Sequence, residues 1–140
     1  MKRILITGGA GFIGSNFVRL LLKERSEYTI FNLDKLTYAG NLSTIADFKS
    51  SPQYNFIHGD IADADLVESI FANGIDAVVN FAAESHVDRS ISDPGVFIRS
   101  NIQGVHTLLE AARRHKTQRF LQISTDEVYG ELGENGYFSE

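Results

Sequence analysis

Short apolar runs alternate along this chain with longer stretches in which apolar residues recur every three or four positions. Arg3 to Thr7 (RILIT) is rich in Ile and Leu and ends in glycines, which predicts a strand buried on both faces. Phe12 to about Arg25 carries Phe12, Ile13, Phe17, Leu20 and Leu21 at helical spacing. Thr29 to Leu33 reads as a second strand. Residues 35–53 are polar and irregular, with a turn at Gly40-Asn41 and a short helix around Ser43 to Phe48. Tyr54 to His58 is the third strand. A helix capped by Asp63 or Asp65 runs through Phe71 and is closed by Asn73-Gly74. Asp76 to Phe81 (DAVVNF) is the fourth strand.

Asp93-Pro94 is an N-cap with proline at the first helical position. It opens a long helix to about His115, with Val105, Leu108, Leu109 and Ala112 on one face. Arg119 to Ser124 (RFLQIS) is the fifth strand, and YGELGENGYFSE, with three glycines in seven residues, is a loop. No repeat, low-complexity tract or linker interrupts the alternation. Strands alternating with helices imply right-handed crossovers and a parallel sheet covered on both faces. The expected architecture is α/β, a Rossmann-type doubly wound sheet of order 3-2-1-4-5. It is incomplete on the C-terminal side, because a full doubly wound sheet needs at least one more strand.

Composition narrows the setting without naming a chemistry. At 140 residues, with 43% hydrophobic and 22% charged, the chain fits one globular domain and is short for two. A chain of this size buries roughly 68% of its unfolded surface. It has no cysteine, which excludes disulfides, thiolate metal sites and a cysteine nucleophile. Thirteen basic against eighteen acidic residues leave a net charge of −5, which argues against nucleic acid as a partner. No apolar run approaches the ~20 residues of a membrane span. Met1-Lys2-Arg3 resembles the start of a signal peptide, but glycines 8, 9 and 11 interrupt the apolar stretch after it and no cleavage site appears. The expected compartment is the cytoplasm.

The first strand and helix are joined by TGGAGFIGS, with Gly8, Gly11 and Gly14 spaced G-x-x-G-x-x-G. Gly8 supplies positive φ for a tight turn. Gly11 lets a pyrophosphate approach the backbone, Gly14 lets the helix pack on the sheet, and the helix N-terminus offers free N–H groups. Asp34 follows Gly14 by twenty residues and ends the second strand, where a carboxylate binds adenosine ribose hydroxyls. A carboxylate there repels a 2′-phosphate, which favours NAD over NADP, and the neighbouring Lys35 weakens that preference slightly. The plainer alternative is that the glycines only turn the chain and Asp34 only ends a strand. Asp60, ending strand three, lies on the same sheet edge and is a candidate for the adenine amino group or for simple capping. Asp60, Asp63 and Asp65 lack the glycine and distal glutamate of a calcium loop, so no metal is expected.

Ligands of open α/β sheets bind beyond the carboxyl ends of the strands. After strand four, Ala82 and Ala83 leave room for a cofactor, and Glu84, Ser85, His86, Asp88 and Arg89 make a polar run that an ordinary loop also tolerates. After strand five, STDEVYG places the adjacent acids Asp126 and Glu127 behind the Thr125 hydroxyl. Neighbouring carboxyls in a partly desolvated cleft repel one another, leaving one protonated and one ionised, which is an acid and base pair. Capping of a short helix is the alternative.

Together TGGAGFIGS, DKLTYAGN, NFAAESHVDRSI and STDEVYG resemble the nucleotide-sugar 4,6-dehydratases of the extended short-chain dehydrogenase/reductase superfamily, from residue 2 to the end. The likeness is greatest to members acting on dTDP-glucose. The glycine loop is common to the superfamily, whereas Asp126-Glu127 is far more specific. The resemblance implies an NAD-dependent lyase. Hydride leaves the sugar C4, water is eliminated across C5 and C6, and hydride returns to C6 to give a 4-keto-6-deoxy sugar.

By that resemblance Asp126 is the acid at the C6 hydroxyl, Glu127 the base at C5, and Thr125 a hydrogen-bond partner near O4. Phe12, Ile13, Asp34, Lys35, Leu36, Thr37, Asp60, Ile61, Phe81, Ala82, Ala83, Glu84, Ser85 and Ser100 are the implied NAD contacts. Ser85 and His86 lie near the substrate, and full-length relatives form homodimers. The superfamily's Tyr-x-x-x-Lys pair is absent here, since Tyr28, Tyr38, Tyr54 and Tyr129 are followed four residues on by Asn32, Leu42, His58 and Gly133. Residues 1–140 are therefore expected to be the NAD-binding domain, cut short of its last strands and substrate domain, inactive alone, and marginally stable or self-associating. The competing readings are a non-catalytic dinucleotide-binding module and part of a related epimerase.

Overall fold

A computed structural model of the chain describes residues 2–133 and 136–139, with Asp126 and Glu127 described by backbone alone. Five parallel strands form one open sheet: β1 (Lys2–Thr7), β2 (Tyr28–Asp34), β3 (Tyr54–His58), β4 (Ala77–Asn80) and β5 (Arg119–Gln122), in the order β3-β2-β1-β4-β5. This is the order the strand–helix alternation predicts. β1 is central because it is apolar on both faces. Leu5 and Ile6 are fully buried on opposite sides of the sheet.

On one face Leu5, Leu33 and Val78 pack against Val67, Ile70 and Phe71 of α2 (Ala64–Phe71) and Leu108, Ala111 and Ala112 of α5 (Val105–Arg114). On the other face Ile4, Ile6, Ile30 and Val79 pack against Val18 of α1 (Phe12–Glu24) and against Ile45 and Phe48. Each fully buried Leu or Ile contributes about 1.5–3 kcal/mol, so the two half-cores hold the sheet's central strands firmly. β5 is the edge strand, with Leu121 52% exposed and Phe120 half-buried.

Asp63 is the N-cap of α2, its carboxylate accepting the Leu66 N–H at 3.1 Å, and Gly74 closes the helix at φ +76°. Three features depart from the sequence pattern. The segment after β4 folds into a short helix, α3 (Val87–Ser92), where the polar run predicts a loop. The long helix begins at Pro94 with α4 (Pro94–Phe97), but Asp93 makes no side-chain cap, and a π-helical stretch, Ile98–Gly104, precedes α5. Phe12, Ile13 and Leu20 of α1 and Leu109 of α5 are largely exposed. The small residues Gly14 and Ser15 take the sheet-facing side of α1 with Val18, so the helix lies close to the strands, while Phe17, Leu21 and Leu22 pack at its flank.

Candidate functional site

The carboxyl ends of β1, β2 and β4 converge on the glycine loop. Gly8 has φ +70°, and a Cβ there would stand 2.7 Å from the Ala82 N, so both conformation and space demand glycine. Its N–H donates to the Leu33 carbonyl at 3.0 Å, and the Gly11 N–H donates to the Gly8 carbonyl at 3.1 Å. A Cβ on Gly14 would overlap the Gly8 carbonyl, which explains how α1 starts so close to the loop. The first turn of α1 holds no acidic side chain and Gly11 offers no side-chain cap, so its free N–H groups and dipole are left for an anion.

Two buried amides hold this arrangement, and neither stands out in the sequence as a site residue. Asn32 of β2 accepts the Gly9 N–H at 3.0 Å and donates to the Tyr54 hydroxyl at 2.6 Å. Burial pushes that hydroxyl above its ordinary value despite the bond from Asn32. Asn80 of β4 accepts from the Thr7 hydroxyl and donates to Gln122 at 2.8 Å, linking β1, β4 and β5. The available signal is a polar amide near the carboxyl end of an otherwise apolar strand, in FNLD and AVVN.

Asp34 is buried. One carboxylate oxygen accepts the Ala10 N–H and the other the Leu36 N–H, each at 2.8 Å. It thus ties the glycine loop to the loop after β2, where Leu36 sits at φ +54°, a strained position for a branched residue. Asp60 receives the Ala62 N–H, Lys35 Nζ and Arg99 Nε, all at 2.9 Å. Burial opposes its charge, but these three donors outweigh that cost and hold the carboxyl below its ordinary value. Lys35 is thereby engaged by Asp60.

These groups line one cleft, partly open to solvent, with about 600 Å³ of empty space counting its open side. The glycine loop contributes Gly8 and Gly11, and the β2 end contributes Asp34, Lys35 and Thr37. The β3 end gives Asp60 and Ile61, the β4 end gives Phe81, Ala82, Ala83 and Glu84, and the π-helical stretch gives Ser100. Of the other expected contacts, Gly14 is buried beneath the loop, Leu36 backs onto the core, and Phe12 and Ile13 stand exposed at the start of α1. Ser85 and His86 lie exposed just past the cleft wall, with the His86 ring edge-on to Tyr38 at 6.4 Å.

A second cleft of about 620 Å³ shares Ala82, Ala83 and Glu84 with the first and continues along Gln122, Ile123, Ser124 and Thr125 after β5. Asn101 fixes the shared wall, accepting the Glu84 N–H and donating to the Glu84 carbonyl, both at 2.8 Å. Asp126 and Glu127 begin a single 3₁₀ turn, Asp126–Tyr129, directly beyond Thr125. Their side chains lie outside the described residues. Among the described residues no group of three or more metal-ligating side chains occurs.

A family model described as GDP-mannose 4,6 dehydratase matches residues 5–140. The low-salt glycan biosynthesis protein Agl12 of Haloferax volcanii is 53% identical over 137 residues, covering 98% of this chain and 43% of that protein. A dTDP-glucose 4,6-dehydratase of Streptomyces niveus is 51% identical over 142 residues, covering 99% of this chain and 42% of the relative. The crystal structure of DesIV, a dTDP-glucose 4,6-dehydratase of Streptomyces venezuelae with NAD and TYD bound, superposes with a TM-score of 0.89 at 47% identity. That superposition covers 96% of this chain and 43% of that one. The chain thus spans a little over two fifths of the length of these relatives. Since the family model takes in the glycine loop, both clefts and the turn after β5 alike, the chain belongs to the GDP-mannose 4,6 dehydratase family.

Proposed function

We propose that this chain is the NAD-binding part of a cytoplasmic dTDP-glucose 4,6-dehydratase. The observation that carries the reading is the continuity of the two clefts across Ala82, Ala83 and Glu84. It runs the glycine-loop cleft into the wall that ends at Thr125, the residue before the acid pair. The residues present suit a dinucleotide. Gly8 and Gly11 leave the loop without side chains, α1 offers uncapped N–H groups, and Asp34 ends β2 on the opposite side of the loop from Glu84. Relatives bearing the dehydratase name and an NAD-bound neighbour support the assignment.

NAD bound in this cleft would supply the hydride acceptor and donor of the reaction. The chain's own groups would do the rest. Thr125 donates a hydrogen bond near the sugar O4. Once C4 is a ketone the C5 proton becomes acidic, and Glu127 removes it while Asp126 protonates the departing C6 hydroxyl, with water as the leaving group. A pair of neighbouring carboxyls divides acid and base roles through mutual repulsion. Ser85 and His86, exposed just past the cleft wall, would meet the nucleotide sugar. Val87, Ile91, Ile98 and Ile102 are exposed, which supports a homodimer. The test supplies the parent protein, of which this chain is the NAD-binding part, with NAD and dTDP-glucose deuterated at C4. The expected product has lost one water and carries the deuterium at C6. Inversion at C4 without loss of water would instead make the protein an epimerase.

A further inference from the structure

Ala10, in the middle of the glycine loop, is fully buried and is held from outside the loop on both of its backbone groups. Its N–H donates to Asp34 at 2.8 Å. Its carbonyl accepts the Asn41 N–H at 3.2 Å and the Thr44 hydroxyl at 2.6 Å. The one hydroxyl proton lies between that carbonyl and the carbonyl of Asn41, which is 2.7 Å away. Thr44 belongs to a 3₁₀ turn, Leu42–Ile45, in the segment that leaves β2 and crosses the glycine loop. The Ala39 carbonyl of that segment is 3.8 Å from where a Cβ of Gly11 would stand.

The 3₁₀ turn is itself anchored. Ile45 and Phe48 are buried in the same half-core as Val18 of α1. Arg19 of α1 donates through Nη2 to the Thr44 carbonyl at 3.0 Å. It also meets both Asp47 carboxylate oxygens, through Nε at 2.7 Å and Nη2 at 3.1 Å. Its Nη1 donates to the Asn16 side chain at 2.9 Å, and the guanidinium lies 5.3 Å from the centre of the Phe48 ring. Bonds therefore run in a closed circuit, from the glycine loop to Thr44, from Thr44 to Arg19, and back along α1 to Gly11. Thr44, Arg19 and Asp47 line neither cleft, so any influence they have on a ligand passes through the loop.

What the circuit fixes is one peptide group. Between Ala10 and Gly11 the carbonyl points to Thr44 and the N–H donates to the Gly8 carbonyl at 3.1 Å. Glycine on one side of that peptide lowers the resistance to its turning over. Turned over, its carbonyl would face the Gly8 carbonyl, the loop would open, and the uncapped N–H groups that start α1 would lose their footing. We propose that Thr44 is a positioning residue for the pyrophosphate of the dinucleotide. Its hydroxyl keeps the Ala10 carbonyl on the side away from Gly8 and so holds the loop closed beneath the first N–H groups of α1. The proposal rests on the dinucleotide reading above and adds to it a residue that touches no ligand, with Arg19 as its anchor.

The test is calorimetry of NAD, ADP and adenosine with the parent protein, of which this chain is the NAD-binding part, after removal of bound nucleotide. Thr44→Val keeps the shape of the side chain and removes the donor, whereas Thr44→Ser keeps the donor. Valine is expected to weaken NAD and ADP alike by about three- to tenfold, the worth of one hydrogen bond, and to leave adenosine, which has no phosphate, unchanged. Serine is expected to restore the wild-type affinities. Arg19→Met removes the anchor and is expected to give the same pattern at about two- to threefold. Unchanged affinities in Thr44→Val, a serine variant no better than valine, or adenosine weakened as much as ADP each overturn the proposal and leave the dinucleotide reading standing. A wild type that binds neither NAD nor ADP overturns both. If Thr44→Val fails to fold, Arg19→Met decides the matter, and wild-type affinities in it overturn the proposal.

Discussion

On the β2–β3 side of the cleft every carboxylate oxygen is met by a donor, two backbone N–H groups for Asp34 and an N–H with two cations for Asp60. On the β4–β5 side Glu84 Oε2 has none, and the edge strand exposes Leu121. The same sheet thus ends in one wall whose carboxylate oxygens are all partnered and one that buries a carboxylate oxygen with no donor among the described residues. The satisfied wall can be rigid without ligand.

The widest disturbance would come from the glycine loop that joins the two walls. Gly8→Ala combines a left-handed backbone with a Cβ 2.7 Å from the Ala82 N, and the atoms it meets are backbone that cannot turn away. About 3 kcal/mol or more of stability should be lost, with dinucleotide binding abolished, as measured by urea unfolding and calorimetry. A variant that folds and binds as the wild type does would mean that the walls do not meet at this turn.

Next in size is the contrast between the walls themselves. Asp34→Ala strands the buried N–H groups of Ala10 and Leu36 and is expected to cost about 2–4 kcal/mol without any ligand present. Glu84→Leu, on the other wall, removes an oxygen that bonds to nothing among the described residues and should leave the stability of the free chain within about 0.5 kcal/mol or raise it. Equal losses in the two variants would erase the distinction between the walls.

The frame of both walls is legible in the sequence, and their finish is not. Apolar runs and helical spacing are local signals, so β1, α1 and the strand order follow from RILIT, the glycine spacing and the alternation after them. Asp34 is legible as the acid that ends β2, because a βαβ unit fixes its distance from the glycines. Its second task, holding Ala10 and Leu36, depends on two loops meeting in space. The same holds for Asn32 and Asn80, polar residues in strands whose partners Gly9 and Thr7 lie 23 and 73 residues away. The π-helical stretch is set by packing. Gly104 lies so close to the Ile61 side chain that a Cβ would stand 2.5 Å from it, while Arg99 and Asn101 reach Asp60 and Glu84. No period in the sequence encodes that. Phe12 and Ile13 follow helical spacing yet face outward, because spacing says which residues share a face and not where the first turn sits against the sheet.

Acid separates the walls more gently. The folded Asp60 carboxyl lies below its ordinary value of 3.8, so protons bind the unfolded chain preferentially. Its contribution is fully present above about pH 4 and is lost as the pH falls through the folded value. Urea midpoints measured from pH 7 down to pH 3 should decline less steeply in Asp60→Asn than in the wild type. Some decline remains in the variant, since Asp47, Glu68 and Glu110 are also lowered, each chiefly by a side-chain hydrogen bond, to Arg19, His115 and Arg113 respectively. Parallel curves would mean that Lys35 and Arg99 give the β2–β3 wall no net electrostatic support.

The smallest effect concerns a direct side-chain link between the walls across the mouth of the cleft. Tyr38 follows β2 and Arg89 belongs to α3 after β4, and the guanidinium lies 4.1 Å from the centre of the tyrosine ring. Both residues are exposed, so the contact is worth about 0.5–1 kcal/mol. A double-mutant cycle on Tyr38→Leu and Arg89→Met, read by urea unfolding, should return a coupling of about that size. Such a coupling means that the finished wall lends order to the unfinished one before any ligand arrives. With no coupling, α3 moves independently of the loop after β2, and the β4–β5 side is held by Asn80 and Asn101 instead.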